Sequence, residues 1–215
     1  MPNRLLWIPV LAALAFVLFV PAIAQDETYH SFADQRTLLG IPNFWNVVSN
    51  LPFAVVGILG LRKARTAAER VLFAGVLLTA FGSAYYHWFP NDARLVWDRL
   101  PMTLVFMALV SIVLGGRFLY PLLGFGICSI LWWIATGDLR LYAVAQFGAA
   151  LIVLVAMFVS PPMRRLWPVL VLYTLAKLTE HYDPNIYAAL PLSGHTVKHF
   201  FAAAATYGLK ACETL

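Results

Sequence analysis

Unbroken apolar runs dominate this chain, and polar residues gather between them. The runs fall at about Leu5–Ile23, Phe44–Leu61, Val71–Phe89, Leu100–Gly115, Phe118–Thr136, Leu141–Val159, Leu166–Leu178 (extendable to Tyr182) and Thr196–Leu209. The last two are short or interrupted by polar groups. A transmembrane helix needs about 20 apolar residues, whereas a membrane β-strand would alternate apolar and polar positions over about 10. The pattern therefore predicts an all-α integral membrane protein. Residues 25–215 form a seven-transmembrane helical bundle, and residues 1–24 form an additional N-terminal hydrophobic segment. No internal repeat, low-complexity tract or linker divides the chain.

Composition agrees with that class. Hydrophobic residues make up 61% of the 215 and charged residues only 12%, with mean hydropathy +0.77. A soluble domain carries about 25% charged residues because its surface faces water. Here most of the surface must face lipid. Cys128 and Cys212 lie in or beside apolar runs and read as structural thiols, with no disulfide framework.

Charge then orients the runs. Arg62, Lys63, Arg65 and Arg70 crowd one connection, and Arg117, the Arg164–Arg165 pair and Lys210 mark every second connection after it. The intervening connections, with Asp26, Glu27, Asp34 and Arg36, then Asp92, Arg94, Asp98 and Arg99, then Asp138 with Arg140, and finally Asp183, are less basic. The positive-inside rule assigns the basic set to the cytoplasm. The net charge of +5 is thus a topology signal and a point of contact with lipid headgroups, and no nucleic-acid partner is expected. The first run starts after Arg4 and reaches small residues at Ala22 and Ala24. It fits either a signal peptide, leaving seven spans, or a retained anchor, giving eight with both ends inside; retention is the expectation.

Ionisable side chains inside a membrane are costly and mark function by default. Of five histidines, His195 and His199 stand four apart, which puts both imidazoles on one face of a helix. His87, near the outer end of its run, lies at similar depth on the same side. Three histidines with a fourth position open to water is a recurring catalytic zinc arrangement. Asp98 stands at that depth too, and Ser83 lies one turn before His87. Each has a plainer reading: His87 bonded within the bundle, Asp98 capping a helix or paired with Arg99, Ser83 packing closely. Their convergence favours a metal site. Lys177, Glu180, His181 and Asp183 form another polar cluster, in which Lys177 and Glu180 can pair within the helix or grip a polar headgroup. Pro52 and Pro101 read as kinks or first turns, and Trp7, Trp45, Trp88, Trp97 and Trp167 as interfacial anchors.

The segment Gly82-Ser83-Ala84-Tyr85-Tyr86-His87, with Trp97-Asp98-Arg99-Leu100-Pro101-Met102, resembles the second and third helices of the alkaline ceramidases. These belong to the seven-helix superfamily that also holds the adiponectin and progestin receptors. Gly194-His195-Thr196-Val197-Lys198-His199 is similar to that family's His-x-x-x-His element, and Phe44-Trp45-Asn46-Val47-Val48-Ser49-Asn50 to its first-helix signature. The likeness runs from about Asp34 onwards. It implies that His87, His195 and His199 bind zinc, with Ser83 and Asp98 beside the water that the metal activates. The implied reaction is hydrolysis of the amide of ceramide or a related N-acyl lipid, giving a fatty acid and an amine such as a sphingoid base. Asp98 would orient or deprotonate the water and later protonate the amine; Ser83 would donate to the oxyanion or hold Asp98. The active site is expected toward the non-cytoplasmic side.

The family's calcium site needs several carboxylates before the first helix, including a Glu directly before Phe-Trp-Asn. Here Asn43 takes that position, Arg36 brings a cation, and only Asp34 clearly remains, so no calcium site of that type is expected. A receptor-like or regulatory member with a structural zinc is the alternative function. An ion or proton transporter is a third, against which stands the lack of an inverted repeat.

Overall fold

The computed structural model describes residue 5 and residues 7–209. Arg4, Lys210 and Cys212, used above for charge and thiols, lie outside these. The described residues are helical, with one isolated bridge between Leu38 and Ile41 and no strand. Nine helices are labelled in chain order: α1 (Trp7–Phe19), α2 (Phe44–Leu61), α3 (Ala67–Trp88), α4 (Asp92–Val113), α5 (Leu119–Thr136), α6 (Arg140–Val159), α7 (Trp167–His181), α8 (Asp183–Ala189) and α9 (Gly194–Gly208). Five of them, α2 to α6, are long and apolar enough to cross a membrane. The helices α7 and α9 have 15 residues each, and α1 has 13.

Helix starts lie outside the apolar runs because caps, rather than hydropathy, set them. Thr66 opens α3 with a capping box: its hydroxyl accepts from the Glu69 amide at 3.2 Å, and the Glu69 carboxylate accepts from the Thr66 amide at 3.1 Å. Asn91 caps α4, accepting from Arg94 N at 3.0 Å. The helix therefore begins eight residues before the apolar run suggests, and Asp98 sits inside it rather than at its entrance. Pro52 lies in the first turn after a short break at residues 49–50 of α2, and Pro101 lies within α4. In α6, residues Val144–Gly148 form a wider π-type turn, a local irregularity that often accompanies functional sites.

Neighbouring helices alternate in direction. The starts of α2, α4, α6 and α9 and the ends of α3, α5 and α7 meet at one end of the bundle, as the contacts below show. The connections rich in arginine and lysine join the opposite helix ends. Two glycines permit close approach at the crowded end. A Cβ on Gly82 of α3 would fall on the carbonyl of Trp97 in α4, and one on Gly194 would fall on the carbonyl of Thr179 in α7.

The segment after α1 is tied to the start of α6. Arg140 Nη1 donates to the carbonyls of Val17 and Val20 at 2.9 and 2.7 Å, and Asp138 accepts from Ile23 N at 3.2 Å. The arginine thus satisfies carbonyls that a helix end leaves open. Arg140 also pairs with Asp138 at 2.8 Å. Cys128 is exposed on the flank of α5. Trp7, Trp88, Trp97 and Trp167 are substantially exposed, the placement an interfacial anchor requires.

Candidate metal centre

His87 from the end of α3 and His195 and His199 from the first turns of α9 converge in the interior. Each is at least 96% buried. His87 Nε2 lies 3.2 Å from His199 Nε2 and 3.4 Å from His195 Nε2. A tetrahedral zinc with Zn–N bonds of about 2.0–2.1 Å would have N–N edges of about 3.3–3.4 Å. Two of the three edges thus match a common ion, and one ligand atom from each histidine lies within 4.8 Å of the others. All-nitrogen donors of this kind suit zinc and its transition-metal neighbours rather than calcium or magnesium.

The surroundings hold the His199 ring and the backbone of the other two, while His87 Nδ1 is buried without a partner. Ser49 Oγ donates to the Asn46 carbonyl at 3.2 Å and lies 2.7 Å from His199 Nδ1. With a metal on Nε2, His199 must carry its proton on Nδ1, and Ser49 is placed to accept it while donating to Asn46. Asp183 accepts from the backbone N–H of His195 at 2.7 Å and from that of Ala33 at 2.9 Å. It therefore fastens the first turn of α9 to the segment that crosses the end of the bundle. Ser193 caps α9 through Thr196 N at 3.1 Å, and Asn46 Oδ1 accepts from Thr196 Oγ1 at 2.8 Å. On the other flank, Asn43 donates to the carbonyl of His87 at 2.9 Å. Phe32 covers the cluster, its ring 4.8 Å from that of His87 and 4.5 Å from that of His195.

Ser83 and Asp98 are both buried. Asn91 rather than Asp98 caps α4, and no ion pair is formed between Asp98 and Arg99. Ser83, Asp98 and His199 line the wall of a cavity of about 530 Å³ between the helices, whose remaining lining is mostly apolar. Phe53, Val76, Val105 and Leu109 form part of that lining, an apolar bed that adjoins the polar residues.

No protein-family model and no curated protein matches this chain.

The other polar cluster is an ion-pair network that lines the same cavity. Glu180 accepts from Lys177 at 2.8 Å within α7, from Lys198 of α9 at 2.7 Å, and from the Tyr29 hydroxyl at 3.1 Å. Lys177 and Glu180 pair within the helix, and Lys198 joins α9 to them. His181 is exposed and belongs to neither cluster. Asp34 is held by Arg36, whose Nη2 and Nε lie 2.6 and 2.9 Å from its carboxylate oxygens. Burial pushes the Asp34 carboxyl up, but the Arg36 hydrogen bonds outweigh this and hold it below its usual range. The Arg36 guanidinium thus engages both carboxylate oxygens of Asp34.

Several residues of the centre carry no role in the sequence reading. Asn46, Ser49 and Asn50 are polar positions spaced three and four apart within an apolar run, a signal that they face a common interior partner. Asp183 reads along the chain as loop charge and as a member of the cluster with Lys177, Glu180 and His181, and Phe32 carries no signal at all.

Proposed function

We propose that this chain is a multi-pass membrane hydrolase that holds zinc on His87, His195 and His199 and cleaves the amide bond of an N-acyl lipid, ceramide or a relative. The observation that carries the reading is the spacing of the histidine Nε2 atoms beside an apolar cavity whose polar wall presents Asp98 and Ser83. The motifs shared with the alkaline ceramidases point the same way.

When bound, zinc lowers the pKa of a coordinated water and polarises a carbonyl oxygen. The chain's own groups supply the rest. Asp98 takes a proton from the attacking water at a carboxylate oxygen and delivers it to the amide nitrogen as the C–N bond breaks. The products are a fatty acid and an amine. Ser83 holds the Asp98 carboxyl or donates to the carbonyl oxygen as negative charge develops there. Phe32 excludes bulk water, and the apolar lining takes the acyl chain.

In this reading α2 to α7 and α9 are seven spans, with α1 retained as an eighth. The alternation of helix direction supports it, since the basic connections all join the end opposite the histidines and the positive-inside rule puts that end in the cytoplasm. The active site then faces the non-cytoplasmic side, and the partners are the bilayer and a lipid drawn from it. A receptor-like protein with a structural metal is the second reading. The burial of all three histidines beneath Phe32 is the observation that favours it.

The test is to purify the protein, measure bound metals and follow fatty acid release from a panel of N-acyl lipids. Zinc with turnover is the expected result. Wild-type protein that binds no zinc would overturn the metal centre, and zinc without turnover of any member of the panel would favour the receptor-like reading.

A further inference from the structure

Arg99 is 6% exposed and lines the cavity beside Asp98. Its Nη2 donates to Gln25 Oε1 at 2.7 Å, while Nη1 is buried without a hydrogen-bond partner. No carboxylate among the described residues forms an ion pair with it. Its guanidinium carbon instead lies 4.5 Å from the ring centre of Trp133, 4.8 Å from that of Tyr142 and 5.5 Å from that of Tyr29. Aromatic faces offset part of the cost of a buried cation, but they leave its N–H donors unused. A buried donor without an acceptor is costly, and a buried charge without a partner more so.

The cavity as a whole repeats this imbalance. Its lining carries three cations, Arg99, Lys177 and Lys198, against two carboxylates, Asp98 and Glu180. Glu180 is consumed by the two lysines and Tyr29. What remains is Arg99 and its chain neighbour Asp98, the proposed proton carrier, with no ion pair joining them and the guanidinium Nη1 still without an acceptor.

We propose that Arg99 is the anion subsite of this cavity, and that the lipid amide it serves carries a carboxylate on the amine side, as an N-acyl amino acid does. The choice of an amide rests on the hydrolase reading. A planar guanidinium suits a carboxylate because it can donate two parallel hydrogen bonds. A free fatty acid presents the same group directly on the chain, so the two ligands must be told apart.

The test measures displacement of a fluorescent fatty-acid analogue from detergent-solubilised full-length protein freed of metal, so that no ion can hold the carboxylate. The competitors are N-oleoylglycine, N-oleoylethanolamine and oleate. N-oleoylglycine is expected to bind about tenfold or more tighter than the neutral amide, and tighter than oleate. In Arg99→Gln that advantage over the neutral amide should vanish, and in Arg99→Lys part of it should return. Equal binding of the two amides to the wild-type protein overturns the subsite whatever the variants do. An advantage that survives in Arg99→Gln overturns the role of Arg99. Oleate binding as tightly as N-oleoylglycine overturns the substrate class. Zinc-loaded turnover is assayed separately: selective binding without turnover keeps the subsite and sinks the hydrolase, and turnover without selectivity does the reverse.

Discussion

The Ser49 hydroxyl lies 2.7 Å from His199 Nδ1, on a different helix, and 3.2 Å from the carbonyl of Asn46. With zinc on Nε2, Ser49 is the acceptor for the Nδ1 proton. Ser49→Ala removes the acceptor but no ligand, so zinc should still bind, about 10–100-fold more weakly. Competition with a chelator of known affinity measures the change, and an unaltered constant would remove Ser49 from the centre.

His195→Ala and Asp98→Asn should separate binding from chemistry. The first removes one of three nitrogen donors and should lose both metal and activity. The second keeps the donors and should retain most of the metal while turnover falls by about 10²–10⁴-fold, the scale of a lost acid–base group. Metal content and fatty acid release on the same samples read both, and normal lipid hydrolysis by His195→Ala would refute the mechanism.

Bound zinc should also act as a fold stabiliser. A ligand at about 100 times its Kd adds about 2.7 kcal/mol when it binds only the folded state. Thermal unfolding in detergent should shift upward with zinc in the wild-type protein and not in His195→Ala. A similar upward shift in that variant would place the stabilising zinc elsewhere.

Gly82 lets α3 pack closely on α4, next to Ser83 and against the Trp97 carbonyl. Gly82→Ala must push the helices apart, at a cost of about 1–3 kcal/mol. The displacement opens the distance between Ser83 and Asp98, so activity should fall further than stability. Denaturation and turnover measured together check this, and a fully active variant would show that the spacing tolerates slack.

The Asp138 carboxyl is held well below its ordinary value of 3.8, chiefly by the hydrogen bond from Arg140. A depressed folded pKa favours the ionised form, so its stabilisation is complete above about pH 4 and fades as pH falls through the depressed value. The anchorage of residues 17–23 to α6 should loosen in that acidic window. Asp138→Asn should produce the same loosening at neutral pH, read as faster proteolysis after α1. Unchanged cleavage would mean that the Arg140 hydrogen bonds to Val17 and Val20 suffice alone.

The helices were legible along the chain because lipid-facing and buried positions are both apolar, so runs stand out against polar loops. Their starts were not, since Thr66, Asn91 and Ser193 act through cap geometry that hydropathy ignores. The histidine trio was legible as scarce ionisable residues at matching depth, and the structure brings the three within bonding reach of one ion. The support around it was hidden. Ser49, Asp183 and Phe32 meet the histidines only through long-range packing, and nothing local distinguishes Asp183 from another loop acid. Arg99 looked like a surface charge or a partner for Asp98; only burial exposes its unused N–H group.

Phe16 of α1 and Ile23 just beyond it belong to the lining of the cavity. Any proteolytic maturation that severed the chain near Ala24 and released the N-terminal piece would take one wall of the chamber with it. The shape of the chamber would then depend on the processing state of the polypeptide as well as on its sequence, and preparations differing only at the N-terminus would present different cavities.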